Sequence, residues 1–410
     1  NASLTNTGTI SSINGQAILV DGANAELSLS DAGQIRGSIS FTDPESASFA
    51  VTADRTTIIG FETLPGTIHS GSLQSVSYGS SVLVVDPDDF ATNTDAPTFN
   101  ALTREVSGTI EAQLEAGRLA PSGYTATNGT HESPAASGRR FWGTPFGGAL
   151  SRSGNDGFDY TFGGAMAGAD QVFSDGLRGG LTGGFSIGHT DSNNDVQSAS
   201  SYSLFAGGYL TRNWGPTFAD FSLVGGYLNS SEDVTVASTS AASGEDVISL
   251  DYNYLFASPT ARIGHAFAAG NGVLTPSLRL RYSGLVQTGD ARDGSTGLTV
   301  SDRALQVLEL RGQAGYDFDP VAGMNGTWHL GFKAGVDGIF TLDDSLDGSL
   351  AGTALDLATS SDEAIVRGFA KANAVWQASN GMQVISSIEG GYDSADTLSA
   401  SMRLGFTANF

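Results

Sequence analysis

Residues that could carry out covalent or metal chemistry are sparse in this chain. The five histidines, His69, His131, His189, His265 and His329, stand far apart, with no two at metal-ligand spacing. Cysteine is absent, which excludes thiolate nucleophiles, thiolate metal sites and disulfides. The glycine-rich tract 179–184 falls inside an expected strand, which is poor context for a phosphate-cradling loop. Asp86, Asp88 and Asp89 offer three carboxylates that could hold Ca²⁺, against the simpler reading of a solvated acidic linker. The expectation is no catalytic residue, no metal and no cofactor. What recurs instead is charge at alternating positions. Arg262, Arg279, Arg281, Arg311, Lys333, Arg367, Lys371 and Arg403 all fall on the polar phase of strand-like segments, with fewer acids beside them, chiefly Glu309, Asp337 and Glu389. A separate helical segment supplies Glu105, Glu111 and Glu115. The chemistry this implies is ion pairing in a space shielded from bulk water, where opposite charges attract more strongly than on an open surface.

The elements that must position these charges are strands. Near the C-terminus, Leu398, Ala400, Met402, Leu404, Phe406, Ala408 and Phe410 alternate with Ser399, Ser401, Arg403, Gly405, Thr407 and Asn409. One face is apolar, the other polar, over a length near that of a tilted strand crossing a bilayer. Related alternation runs through Met382, Val384, Ile388 and Tyr392, through Trp328, Leu330, Phe332, Val336 and Phe340, and less regularly through the segments around Leu278 and Leu310. Earlier candidates lie at 141–151, 158–173, 177–190, 199–212, 217–230 and 249–267, for about twelve strands in all. Connections at 174–176, 213–216, 269–272, 321–326 and 378–381 are short and turn-forming, whereas 191–197, 231–246, 287–301 and 342–362 read as long acidic loops. Strict alternation of short and long connections is a property of outer-membrane barrels, and an ordinary sandwich has no reason for it. Trp142, Tyr160, Tyr209, Trp214, Tyr227, Tyr282, Tyr316, Trp328, Trp376 and Tyr392, near expected strand ends, suit interfacial girdles.

Composition agrees with this class. The 410 residues include 55 Gly and only four Met, with 43 acids against 19 Lys and Arg for a formal charge of −24. Such a chain cannot neutralise a polyphosphate backbone, so nucleic acid is excluded as a partner. No run of about eighteen apolar residues occurs, which excludes a spanning α-helix and says nothing against spanning strands. The chain opens at Asn1 without a charged and then apolar leader, as expected for a mature or truncated form.

Upstream of the strands, 97–119 reads as a helix, with Pro97 near its start, Gly117 near its end, and Leu102, Val106, Ile110 and Leu114 forming one narrow stripe. Its three glutamates match a basic lumen, so the expectation is a helical plug. With an even strand number and a periplasmic C-terminus, the segment before the first strand either stays in the periplasm or threads the lumen outward. Residues 1–85 contain short β-type runs, and apolar strands recurring near Ile18, Ile39 and Ile58 suggest about twenty residues per coil of a parallel β-helix.

These parts in this order resemble the type V, classical monomeric autotransporters. The resemblance rests on the coil-like Asn6-Thr7-Gly8-Thr9-Ile10 and 35–41, on Val85-Asp86-Pro87 with the helix, on Arg140-Phe141-Trp142-Gly143 and on the terminal Phe410. It implies an all-β fold: a twelve-stranded antiparallel transmembrane β-barrel (141–410) with a lumen α-helix (linker and helix, 86–140), preceded by a short parallel β-helix passenger segment (1–85). It further implies the outer membrane of a Gram-negative bacterium, with lipid around the barrel, Phe410 as the signal read by barrel-assembly machinery, and an extracellular N-terminal segment. The implied role is to translocate and anchor that passenger, with adhesion or a surface structure as its purpose and its surface ligand unnamed. Some relatives cleave at an Asn pair in the lumen helix. Here Asn100 is followed by Ala101, so the uncleaved state is expected. The alternative is a porin-like channel for small anionic solutes. An enzyme would need an active site in passenger residues outside this sequence.

Overall fold

The computed structural model describes residues 9–30, 34–53, 55–86, 89–90, 92–118, 138–154, 157–174, 176–193, 195–323, 325–357 and 364–409. Twelve long antiparallel strands close a barrel: β9 (Arg140–Arg152), β10 (Phe158–Ser174), β11 (Leu177–Ser192), β12 (Gln197–Trp214), β13 (Thr217–Ser238), β14 (Glu245–His265), β16 (Gly272–Gln287), β18 (Thr299–Phe318), β20 (Gly326–Leu350), β22 (Ala364–Ala378), β23 (Gln383–Asp393) and β24 (Thr397–Asn409). Short strands β15 (Phe267–Ala268), β17 (Ala291–Arg292), β19 (Val321–Gly323) and β21 (Thr353–Asp356) prolong neighbouring pairings. Closure comes from β24 pairing with β9, Thr397 opposite Arg152 through Asn409 opposite Arg140. Closing the sheet leaves no row of unpaired backbone groups, which hydrocarbon would not tolerate.

Alternation sorts the side chains. Leu181, Ile187, Leu223, Ile263, Leu278, Val336, Leu398 and Met402 are exposed on the barrel's outer surface. An apolar band of this extent is untenable in water and fits a lipid environment. At one end the strands are joined by tight turns, where Gly215 (φ +60°) and Gly381 (φ +85°) adopt the left-handed conformation that only glycine takes up without strain. At the other end, two of the four stretches expected as long acidic loops, 231–246 and the described part of 342–362, are largely strand, whereas 191–197 and 287–301 are mostly connection. β13 runs on to Ser238, β14 begins at Glu245, and β20 reaches Leu350. The reason is a second alternation. Val234, Val236, Ile248, Leu250, Leu346 and Leu350 are all buried in a core beyond the bilayer-length part of the barrel.

That core is completed by the N-terminal strands β1 (Thr9–Val20), β2 (Glu26–Ser30), β3 (Gln34–Phe41), β4 (Ser48–Thr52), β5 (Thr57–Gly60), β6 (Thr67–His69), β7 (Gln74–Tyr78) and β8 (Ser81–Val85). Pairing of β1 with β3, β2 with β4 and β4 with β6 is parallel. Ile18 stands opposite Ile39, and Ile39 bridges to Phe61. The sequence spacing assigned the next position to Ile58. Ile58 instead faces Leu83 in an antiparallel pair and Ser238 of the barrel, because the chain turns at β5 from stacking on itself to pairing with the barrel. β8 is buried on both faces: Val82 and Val84 enter the core of the parallel stack, while Leu83 and Val85 enter the core shared with the barrel.

The seam between cap and barrel depends on Thr239, which follows β13. Its N–H donates to the Ile58 carbonyl (2.9 Å), and its Oγ1 accepts from the Gly60 N–H (2.8 Å) in a buried setting. Thr239→Val keeps the shape but strands a buried donor. The expected cost is about 1–3 kcal/mol of local stability. Hydrogen exchange at Gly60 and its β5 neighbours should accelerate while exchange in β22–β24 stays unchanged.

Candidate functional site

Inside the barrel runs α1 (Thr92–Arg118), whose 27 residues span about 40 Å, more than a hydrocarbon thickness of about 30 Å. It starts five residues before Pro97. Proline deletes only one backbone donor there, within the first two turns, and the helix continues through it. Every residue from 99 to 114 is buried, polar ones included. The narrow apolar stripe is therefore only half of the interface.

The two halves meet different walls. Leu102, Val106, Ile110 and Leu114 share a core with Trp142, Phe146, Phe162, Met166, Phe205 and Phe256, and Phe99 meets Phe256 edge-on at 5.8 Å. On β10 the aromatic phase points inward and the small-residue phase outward, the reverse of the polar-inward pattern. For this reason Trp142, Tyr160 and Tyr209, expected in interfacial girdles, are buried in the lumen, whereas Trp214, Tyr227, Trp328 and Tyr392 are exposed. Aromatic identity near a strand end does not distinguish the two faces; only the phase does.

The opposite wall carries the charges. Arg403 grips Glu105 through two contacts, Nε to Oε1 at 2.5 Å and Nη2 to Oε2 at 2.7 Å. Glu111 pairs with Arg279 (3.1 Å) and Arg262 (3.5 Å), and Glu115 with Arg262 and Lys333 (2.5 Å each). Arg281 reaches the helix without an acid, donating to the Asn100 carbonyl (3.1 Å), Asn100 Oδ1 and Thr103 Oγ1. Arg281 and Arg279 share Glu309, while Arg311 and Arg367 share Asp337 and Glu389. Lys371 is buried in the same wall and makes no ion pair within 4 Å among the described residues. Two helix glycines set the approach. A Cβ on Gly108 would stand 2.5 Å from Arg403 Nη2, and one on Gly117 would stand 2.5 Å from Arg140 Nη1. Gln113 adds neutral contacts, donating to Thr144 (3.0 Å) and accepting from Thr407 (2.8 Å).

Sequence reasoning left out seven charged members of this network: Arg140, Asp170, Arg178, Asp220, Arg118, Arg303 and Asp95. Arg140 holds Asp170 through two bonds (2.9 and 2.7 Å) and donates to the Gln113 carbonyl. Asp170 also takes Arg178 and the Tyr209 hydroxyl. Asp220 joins Arg262 to Arg118 of the helix, and Arg303 pairs with Asp95. Asp170 sits on the aromatic phase of β10, so the polar-inward rule hid it. A rule asking which phase carries large side chains would have found it.

Among the described residues the other candidates stand apart from one another. A nucleophile-elbow pattern that the sequence reading missed, Gly184-Phe185-Ser186-Ile187-Gly188, runs straight through the middle of β11, and Ser186 hydrogen-bonds Ser203 (2.6 Å), not a base. Asp89 accepts from the Thr56 backbone N–H (2.5 Å), while Asp88 lies outside the described residues. Among the described residues no three metal-ligating side chains gather, and His131 and Phe410 lie outside them.

An Autotransporter beta-domain family model matches residues 141–393. Among solved structures, the translocator domain of the autotransporter NalP from Neisseria meningitidis is similar, with a TM-score of 0.54 at 16% identity, covering 76% of this chain and all of that one. The beta domain of the Bordetella autotransporter BrkA aligns with a TM-score of 0.52 at 16% identity, over 67% of this chain and all of that one. No curated protein matches in sequence. Twelve strands closed around one helix, with the family model matched over most of that barrel, establish that the chain belongs to the autotransporter beta-domain family of Gram-negative outer-membrane proteins.

Proposed function

We propose that the barrel translocates its own N-terminal segment to the cell surface and anchors it there, with residues 1–85 as the displayed passenger segment and 86–140 as the linker and threaded helix. The observation that carries this is that α1 occupies the lumen, packed against its wall and against the core shared with the folded cap, and precedes β9 in the chain. A chain left in that path after export would have this arrangement. The parallel pairings of β1 with β3 and of β2, β4 and β6, spaced about one coil apart, support a β-helical passenger. Tight turns belong on the periplasmic side and the extended strands outside. An uncleaved helix, with Asn100 held by Arg281 and followed by Ala101, keeps the passenger attached. Adhesion or a surface structure is the role proposed for it. No catalysis is assigned to this segment, and the proposed partners are outer-membrane lipid and, through the Phe410 that follows β24 in sequence, the barrel-assembly machinery.

Protease added to intact cells should cut within the cap region and leave the barrel whole, as read by mass spectrometry of membrane fractions. Protection of the whole N-terminal segment until the envelope is breached would sink the proposal.

A further inference from the structure

We infer that a cavity beside the first half of α1, at the cap end of the lumen, is a binding site for one small monovalent anion of the halide type. The cavity measures about 40 Å³ and is lined by Asn100, Arg104, Arg152, Arg367, Asp393 and Ser399 among others. At about 10–15 Å³ per water-sized occupant, that is room for one such ion and a water or two.

Arg104 is the reason an anion belongs there. It is the one arginine in the middle of a helix that otherwise offers glutamates to this wall, and it is 8% exposed. Its Nη1 has no hydrogen-bond partner, and the nearest carboxylate oxygen, Asp337 Oδ2, stands 3.9 Å away. That carboxylate is already engaged. Arg311 contacts both Asp337 oxygens (2.6 and 2.9 Å), Arg367 takes Oδ2 as well (2.9 Å), and both arginines also claim Glu389. Three guanidinium groups thus converge on two carboxylates. Asp393 also lines the cavity and carries a negative charge, its Oδ1 held by the backbone N–H groups of Ala395 (3.0 Å) and Thr397 (2.9 Å), but Arg152 in the same lining offsets it, so the group stays one positive charge in excess. A buried positive charge in excess is strongly unfavourable unless something neutralises it, and arginine cannot shed its proton. A mobile anion of one charge balances the group. A larger polyvalent anion would overshoot the charge and the space.

The test uses the full chain folded in detergent, with chloride replacing the bulky anion gluconate at constant ionic strength. Thermal unfolding of the wild type should shift upward by about 2 °C or more and saturate with chloride. Arg104→Gln, which removes the excess charge but keeps hydrogen-bonding capacity, should lose that saturable shift. Equal responses in both proteins, or no response beyond ionic strength, overturn the inference. Crystals of the wild type soaked in bromide give a reading that needs no variant: an anomalous peak beside Arg104 Nη1 supports the site, and water alone in the cavity refutes it.

Discussion

Deleting residues 92–118 is expected to convert a closed barrel into an open pore. The helix occupies the lumen with every residue from 99 to 114 buried, so ions have no continuous path while it is in place. Its removal empties a channel about 10 Å across, the width of a helix with its side chains, over a hydrocarbon thickness of about 30 Å. A water-filled cylinder of that size conducts on the order of a nanosiemens in molar salt, against near silence for the full chain. Planar-bilayer recordings separate two functions. If the intact protein conducts as freely as the deletion variant, the helix is no plug and the channel reading displaces the translocator reading. The deletion also exposes the charged wall of Arg262, Arg279, Arg311 and Arg403, so the open pore should favour anions over cations. Absence of that preference would mean the wall acids, Glu309, Asp337 and Glu389, neutralise it fully.

How much of this was legible in the sequence follows from which physical signals are local. The strand segments were readable because period-two alternation is written into Leu398, Ala400, Met402 and Leu404 directly, and the inward phase of the charged strands followed from Arg279, Arg281 and Arg311. Two kinds of information were not local. The first is which phase faces inward on a strand where neither phase is charged: β10 presents Phe158, Tyr160 and Phe162 to the helix because that side of the lumen must match Leu102 and Val106. The second is the length of the outer strands. The stretch 231–246 is acidic enough to read as loop, and it becomes strand through burial of Val234, Val236 and Ile248 under a cap far away in sequence. The partner of Ile58 was misassigned for the same reason, since parallel stacking gives way to barrel pairing only once both are folded. Glu105, Glu111 and Glu115 lie on α1, and the sequence reading named no individual partner for any of them, because pairing depends on strand register and not on composition.

The sharpest test of the lumen energetics is the pair Glu105 and Arg403. Other charges in the wall belong to shared networks, so removing one rearranges several. Among the described residues these two pair only with each other, at 2% and 4% exposure. Arg403→Met keeps most of the stem's packing and strands the Glu105 carboxylate in the lumen, which should cost about 3–5 kcal/mol if the site is as dry as its burial indicates. Glu105→Gln leaves the guanidinium unpaired and should cost about as much. Combining Arg403→Met with Glu105→Leu removes both charges and fills the space with apolar atoms, and it should return to within about 1–2 kcal/mol of wild type, since a buried pair and a well-packed apolar pair are nearly equivalent. Urea unfolding in lipid vesicles gives the free energies, provided the slope with denaturant is unchanged between variants. The cycle discriminates between two pictures of the lumen. A coupling of several kcal/mol means that water is excluded along this stretch of helix and that charge matching holds the plug. Single-variant losses below about 1 kcal/mol, the range of exposed ion pairs, would mean that water reaches Glu105 and that the apolar stripe of Leu102, Val106 and Ile110 alone retains the helix.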